Sequence, residues 1–212
     1  MKKFPTCPLP LKHVLENLDS PLKIQDYLSD IPWNFDDGKG TLRSPLQSVI
    51  HEKAHCFEGA LIAAAALWFH GHLPLLMDLR TIDYDDDSHV LALFKERGRW
   101  GAISKTNHAT LRYRDPVYKT PRELAMSYFN EYFLEDGRKT LRSFSDPFNL
   151  LKVDSKWLTT DKNLWDLDAR LEKAFHQKIA PAGFERHLRK SDSIEIKILR
   201  FTDWKKRKKP PR

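Results

Sequence analysis

Two cysteines are all that 212 residues contain. That is too few for a disulfide framework, so Cys7 and Cys56 are expected to be free thiols in a reducing cytoplasm. Long apolar runs are missing as well. The longest, from about Ala60 to Phe69, is broken by His70 and Gly71. It falls short of the roughly 18 residues that span a bilayer, so no membrane partner is expected. The stretch Met1-Lys2-Lys3-Phe4-Pro5 has charge but no apolar centre, because Pro5, Pro8 and Pro10 interrupt it, and a secretory signal is not expected. There is no glycine-rich phosphate loop, no internal repeat and no low-complexity block. His51, His55, His70, His72 and His108 offer no ligand pair matched by a second one, so neither a metal nor another cofactor is expected.

What is present is 41% hydrophobic and 31% charged residues, enough to bury the core of one domain with additions. The net charge is +7, but the tail Trp204 to Arg212 holds six positive side chains and no negative one. The body is therefore near neutral. Such a tail reads as a solvated, disordered end, with weak binding to polyanions as its functional alternative.

Ser20-Pro21 and Ser44-Pro45 are cap-plus-proline starts of helices running to about Leu28 and Glu52. The stretch from Cys56 to Phe69 is apolar all round, which describes a buried central helix. Strands are expected at Leu73–Leu79, Ser88–Glu96 and Arg99–Ser104, the last two joined as a hairpin through Arg97-Gly98, with another short one at Thr110–Tyr113. Thr120-Pro121-Arg122-Glu123 is a capping box whose helix should reach about Leu134. Thr160-Asp161 should open a helix to about His176, and the alternation in Ser193–Leu199 predicts a half-exposed strand. Pro5, Pro8 and Pro10 suggest an extended arm.

The chemistry concentrates between Ala54 and Asn107. Cys56 stands where a helix begins, and the helix dipole with its unpaired N–H groups favours a thiolate there. His89 opens a strand 33 positions later, and an imidazole is the partner a thiolate nucleophile needs. Cys56, the turn Gly71-His72-Leu73-Pro74, His89 and Trp100 stand in an order that resembles the transglutaminase-like superfamily, the rearranged relatives of papain-type cysteine proteases. The resemblance covers about Leu46 to Asn107. It implies an α+β fold in which a Cys-bearing helix packs on a small antiparallel sheet surrounded by helices. It also implies a third residue four positions after Trp100. That residue is Ser104, where the family has Asp, and Ser104 or Asn107 is the candidate to orient the His89 ring.

Bland readings stand beside these. Cys56 could be a small core hydrophobe, and His89 a strand residue whose neighbours Asp85, Asp86 and Asp87 perturb it. Glu58 suits the first helical turn, and His55 reads as a loop residue. Gln47 and the Cys56 backbone N–H are candidate oxyanion donors. Lys105, Arg112 and Arg114 either greet an acidic substrate group or decorate an edge strand.

Residues 1–150 are expected to form the core with its arm, 151–203 a helix-plus-strand extension packed on it, and 204–212 the basic tail. The expected function is cysteine-dependent hydrolysis or acyl transfer on an amide or peptide bond by a Cys56–His89 pair, with a protein or peptide substrate. The alternative is a catalytically silent binding module of the same fold.

Overall fold

The helix α4, Cys56–Phe69, is buried along its length from Phe57 to Trp68. Its sequence leaves no other option, because no face is polar enough to meet water. Gly71 ends it in the left-handed region at φ 89°. There the His72 N–H reaches Leu67 O at 2.8 Å and the Gly71 N–H reaches Trp68 O at 3.0 Å, the two bonds of a Schellman cap. The computed structural model describes residues 2–35, 40–82 and 88–202.

Around α4 lie α1 (Leu9–Asn17), α2 (Pro21–Asp30) and α3 (Pro45–Ile50). The Ser20 and Ser44 hydroxyls cap α2 and α3, each with proline in the first turn. The strands are β1 (Leu75–Arg80), β2 (His89–Glu96), β3 (Arg99–Ile103), β4 (Arg114–Tyr118), β5 (Ser143–Ser145), β6 (Phe148–Asn149) and β7 (His176–Lys178). They form one sheet in the order β4-β3-β2-β1-β5-β7, with β6 beside β1. Every pairing in it is antiparallel. The fold is therefore α+β with an antiparallel sheet, as expected.

Both faces of the sheet are covered, and the strand period of two sorts side chains between them. Leu76, Val90, Ala92, Phe94 and Ile103 join the α4 core. Leu75, Met77, Leu79, Leu91, Leu93 and Ala102 join a second core with α5 (Pro121–Met126) and Phe144. The β2–β3 hairpin turns through Arg97 and Gly98, at φ 46° and 78°, the two positive-φ positions of a tight primed turn. Among the described residues no helix is long and apolar enough to cross a membrane.

Several expectations are corrected. Ser193–Ile198 is a helix, α7, not a strand. The Asp192 carboxylate accepts from the Ile194 and Glu195 N–H groups, and the Glu195 carboxylate accepts from the Asp192 N–H; this capping box outweighs an alternation of isoleucines that also fits helical spacing. The helix expected from Thr160 begins only at Trp165 and ends at Glu172 as α6. The segment before it is spent on pairing with residue 42: Leu164 N–H donates to Leu42 O, and Leu42 N–H to Asn163 Oδ1. Only half of the capping box at Thr120 forms: the Thr120 hydroxyl accepts from the Glu123 N–H, but the Glu123 carboxylate accepts from the Lys119 N–H, and α5 stops at Met126 with a 3-10 turn at Phe129–Glu131 following. Thr110–Tyr113 is not a strand: Ala109–Leu111 is a 3-10 turn and β4 follows. The proline arm becomes helix α1 at Leu9, with Pro10 tolerated in its first turn. The C-terminal third shares the main core through Leu167 and Leu171 and supplies β7 to the sheet. The basic tail lies outside the described residues.

Close approach of α4 to the chain after β3 depends on Gly59. A Cβ there would stand 2.3 Å from the Lys105 Cβ. Gly59→Ala gains about 1 kcal/mol of helix propensity, but overpacking at the stiff end of a side chain costs about 1–3 kcal/mol. The variant should melt below the wild type in calorimetry; a higher melting temperature would show that α4 can move away without loss.

Candidate active site

Glu58 organises the end of α4 that carries Cys56. Its carboxylate is fully buried and takes four hydrogen bonds. The donors are Asn34 Nδ2 (2.9 Å), Thr41 Oγ1 (2.9 Å), Arg43 N–H (3.0 Å) and His55 N–H (3.1 Å). The last is a helix-capping contact. The others tie Asn34 and the Thr41–Arg43 segment to the helix start. His55, the N-cap residue, donates from Nε2 to Thr41 O at 2.6 Å. Cys56 follows as the first helical residue, half-buried.

His89 opens β2 opposite Leu79 of β1 and is 7% exposed. Its Nε2 meets the Ser104 hydroxyl at 2.7 Å. Ser104, just beyond β3, is fixed by Gln25 of α2: the Ser104 N–H donates to Gln25 Oε1 at 2.9 Å and Gln25 Nε2 donates to Ser104 O at 3.0 Å. With Nε2 engaged, Nδ1 is the ring nitrogen left for the thiol. Asn107 does not take the place considered for it. The His89 ring has Ser104 as its partner, and the buried Asn107 Nδ2 has no hydrogen-bond partner.

Burial works against ionising the Cys56 thiol. Hydrogen bonds from His55 and then His89, and the positive charge of both rings, overcome it and lower its pKa from 9.0 to about 6. His55 moves the other way. Burial lowers it, but the bond to Cys56, the charges of Cys56 and Glu58, and the Thr41 carbonyl raise it from 6.5 to about 9. Burial raises Asp168 of α6 to about 6, helped by Glu172, Asp78 and the Cys56 thiolate. Burial also holds the Cys7 thiol above its ordinary 9.0.

Two cavities open on Cys56. One, of about 660 Å³, is lined by Trp33, Phe35, His89, Asn107 and Trp165 among others. The second, of about 580 Å³, is lined by Asp78, Arg80, Val90 and Asp168, and shares His55 and Cys56 with the first.

Cys56, His89, Ser104 and Asn107 thus meet around one cavity or one ring. Gln47 lies on α3 and is not among the described residues lining either cavity. Lys105 does not greet substrate: it is buried, with Nζ on Leu28 O at 2.7 Å and Ile31 O at 2.5 Å at the end of α2. Arg114 pairs with Glu131 and lies 4.0 Å over the Tyr128 ring, also away from both cavities. Asp85, Asp86 and Asp87 fall outside the described residues. The unforeseen participants are His55, Gln25 and Asp168. His55 was legible as a residue adjacent to the thiol, whereas Gln25 and Asp168 carry no local signal. Among the described residues no cluster of His, Cys, Asp or Glu could hold a metal ion. No family model matches the chain and no curated protein matches it, so its chemistry has to be read from its own side chains.

Proposed function

We propose that the chain is a cysteine hydrolase or acyltransferase, transglutaminase-like in kind, acting on an amide or ester carbonyl. The observation that carries this reading is the meeting, at one cavity, of a helix-N-terminal thiol and an imidazole whose far nitrogen is already held by Ser104. In the reaction, the Cys56 proton passes to His89 and the sulfur forms a bond to the carbonyl carbon, whose π pair moves onto oxygen. The tetrahedral centre then collapses, the C–N bond breaks, and His89 gives its proton to the departing amine. Water or an amine, deprotonated by His89, attacks the thioester and returns the Cys56 thiolate. The unpaired N–H groups at the start of α4 face the developing oxyanion. The substrate of this reading is a protein or peptide, presented to Cys56 at the cavity of about 660 Å³. A binding module without catalysis is favoured by one feature, the neutral Ser104 where the resemblance places a carboxylate.

Alkylation separates the two. At pH 6.5 about three quarters of Cys56, but well under 1% of Cys7, is thiolate by their pKa positions. The weaker nucleophilicity of a low-pKa thiolate removes part of that advantage, leaving Cys56 roughly tenfold faster with iodoacetamide. Equal rates, or a Cys56 that reacts only after denaturation, would assign it to the core. Stability should not report the same event. The depressed Cys56 contributes stability that is complete above pH 9 and is lost as pH falls through about 6. The raised His55 contributes stability that is complete below 6.5 and is lost as pH rises through about 9. The slopes oppose each other, so between those limits this pair leaves the melting temperature nearly flat.

A further inference from the structure

The carboxylate that the resemblance places behind the strand histidine is absent at Ser104, yet a fully buried carboxylate, Glu58, stands beside the histidine that caps the Cys56 helix. Glu58 Oε1 lies 3.7 Å from His55 Nε2, and the His55 side chain is only 12% exposed. The Thr41 carbonyl can only accept, so the 2.6 Å bond from Nε2 fixes a hydrogen on that nitrogen. Nδ1 is then the nitrogen left both for Cys56 and for the Glu58 N–H at the helix cap. Two arrangements satisfy the contact with Cys56: a neutral thiol donating to Nδ1, or an Nδ1–H donating to a thiolate. The helix start favours the anion at residue 56 and disfavours a cation at residue 55, and the buried charge of Glu58 offsets the second effect. The ion pair is the arrangement in which all three charges have a neighbour of opposite sign.

We propose that His55 is a second catalytic imidazole: held by Thr41 and backed by Glu58, it is the standing cationic partner of the Cys56 thiolate, leaving His89 to carry the proton of the reaction. The proposal rests on Cys56 being the nucleophile. His55 keeps both ring protons throughout, the second taken from solvent, so no bond forms or breaks at it; the thiol's own proton is the one held by His89, given to the departing amine and recovered from the attacking water. The carboxylate–imidazole unit is thus moved from the strand histidine to the helix cap, which accounts for a neutral Ser104 being sufficient behind His89. The ionisable groups around His55 are Cys56 and Glu58 of α4, His89 of β2, Asp168 and Glu172 of α6, and Lys173 just after it. Asp78 and Arg80 of β1 lie around it too, as does Arg43 of the preceding loop, whose guanidinium is 4.0 Å from Glu58.

The test is the pH profile of iodoacetamide alkylation at Cys56 in the full chain, for the wild type, His55→Asn and His89→Ala. Asn is a favoured N-cap, so His55→Asn keeps the helix start while removing the charge. The wild type should inflect near 6. His55→Asn should inflect at least one unit higher, with about tenfold less thiolate below pH 6, and should reach or exceed the wild-type rate above pH 9.5, where the thiolate forms unaided and is the more basic nucleophile. A His55→Asn profile that overlays the wild type, while His89→Ala shifts it, overturns this proposal alone. A wild type that inflects near 9 overturns the nucleophile reading together with it. Should His55→Asn fail to fold, ring NMR of the wild type decides. Titration of His55 near 9 supports the proposal, and titration below 6.5 ends it.

Discussion

Glu58→Ala should cost the protein about 3–5 kcal/mol, the penalty for removing one member of a buried charged network. The size follows from what the substitution leaves behind. The N–H groups of Arg43 and His55 lose this acceptor, as do the Thr41 hydroxyl and the Asn34 amide, which keeps its bond to Thr41 Oγ1, and a buried donor left without a partner costs about 1–3 kcal/mol. Some of the four will find water once the side chain is gone, which keeps the total below their sum. In a chain of this length each kcal/mol lowers the melting temperature by about 2–4 °C, so a fall of roughly 6–20 °C is expected in a thermal scan. Glu58→Gln keeps one acceptor oxygen and most of the shape, and should fall between. The exposed pair Lys23–Asp19, at 2.7 Å, is the control: its loss should cost less than about 1 kcal/mol. If Glu58→Ala and Asp19→Ala melt alike, the loop over the start of α4 is held by something other than this carboxylate.

The parts of the fold that could be read from the sequence are those with local causes. The Ser20, Ser44 and Thr120 caps, the all-apolar α4 and the Arg97-Gly98 turn each declare themselves within a few residues, and each is where it was expected. Strands β5, β6 and β7 were not legible, because two or three residues show no period and exist only through their partners on β1 and β5. At α7 a local signal was present, but the alternation concealed the Asp192–Glu195 box. The site divides in the same way. Cys56 and His89 could be placed by element starts. The choice of Ser104 over Asn107 depends on Gln25, which lies 79 residues away in sequence and fixes the Ser104 backbone from both sides.

Removing the two residues along the His89 ring should separate a proton carrier from its support. His89→Ala takes away the group that accepts the thiol proton and returns it to the leaving amine, and positioned general acid–base groups are worth about 10²–10⁴ in rate. Turnover on any amide or ester substrate should fall by that much, and raising the pH should not restore it, because a thiolate formed by hydroxide still lacks a proton donor for the amine. Ser104→Ala removes one neutral hydrogen bond to Nε2, worth about 0.5–1.5 kcal/mol, so the rate should fall only about 2- to 13-fold. Asn107→Ala is the contrasting case. Its Nδ2 has no partner in the resting site, so truncation should leave the melting temperature nearly unchanged, and any loss of rate would mark that amide as a donor to bound substrate. A Ser104→Ala loss as large as that of His89→Ala would mean that the ring takes the wrong tautomer or orientation without the hydroxyl. If neither His89→Ala nor Ser104→Ala lowers turnover while Cys56→Ala abolishes it, proton transfer belongs to another group at the sulfur, and His55 is the imidazole already in place.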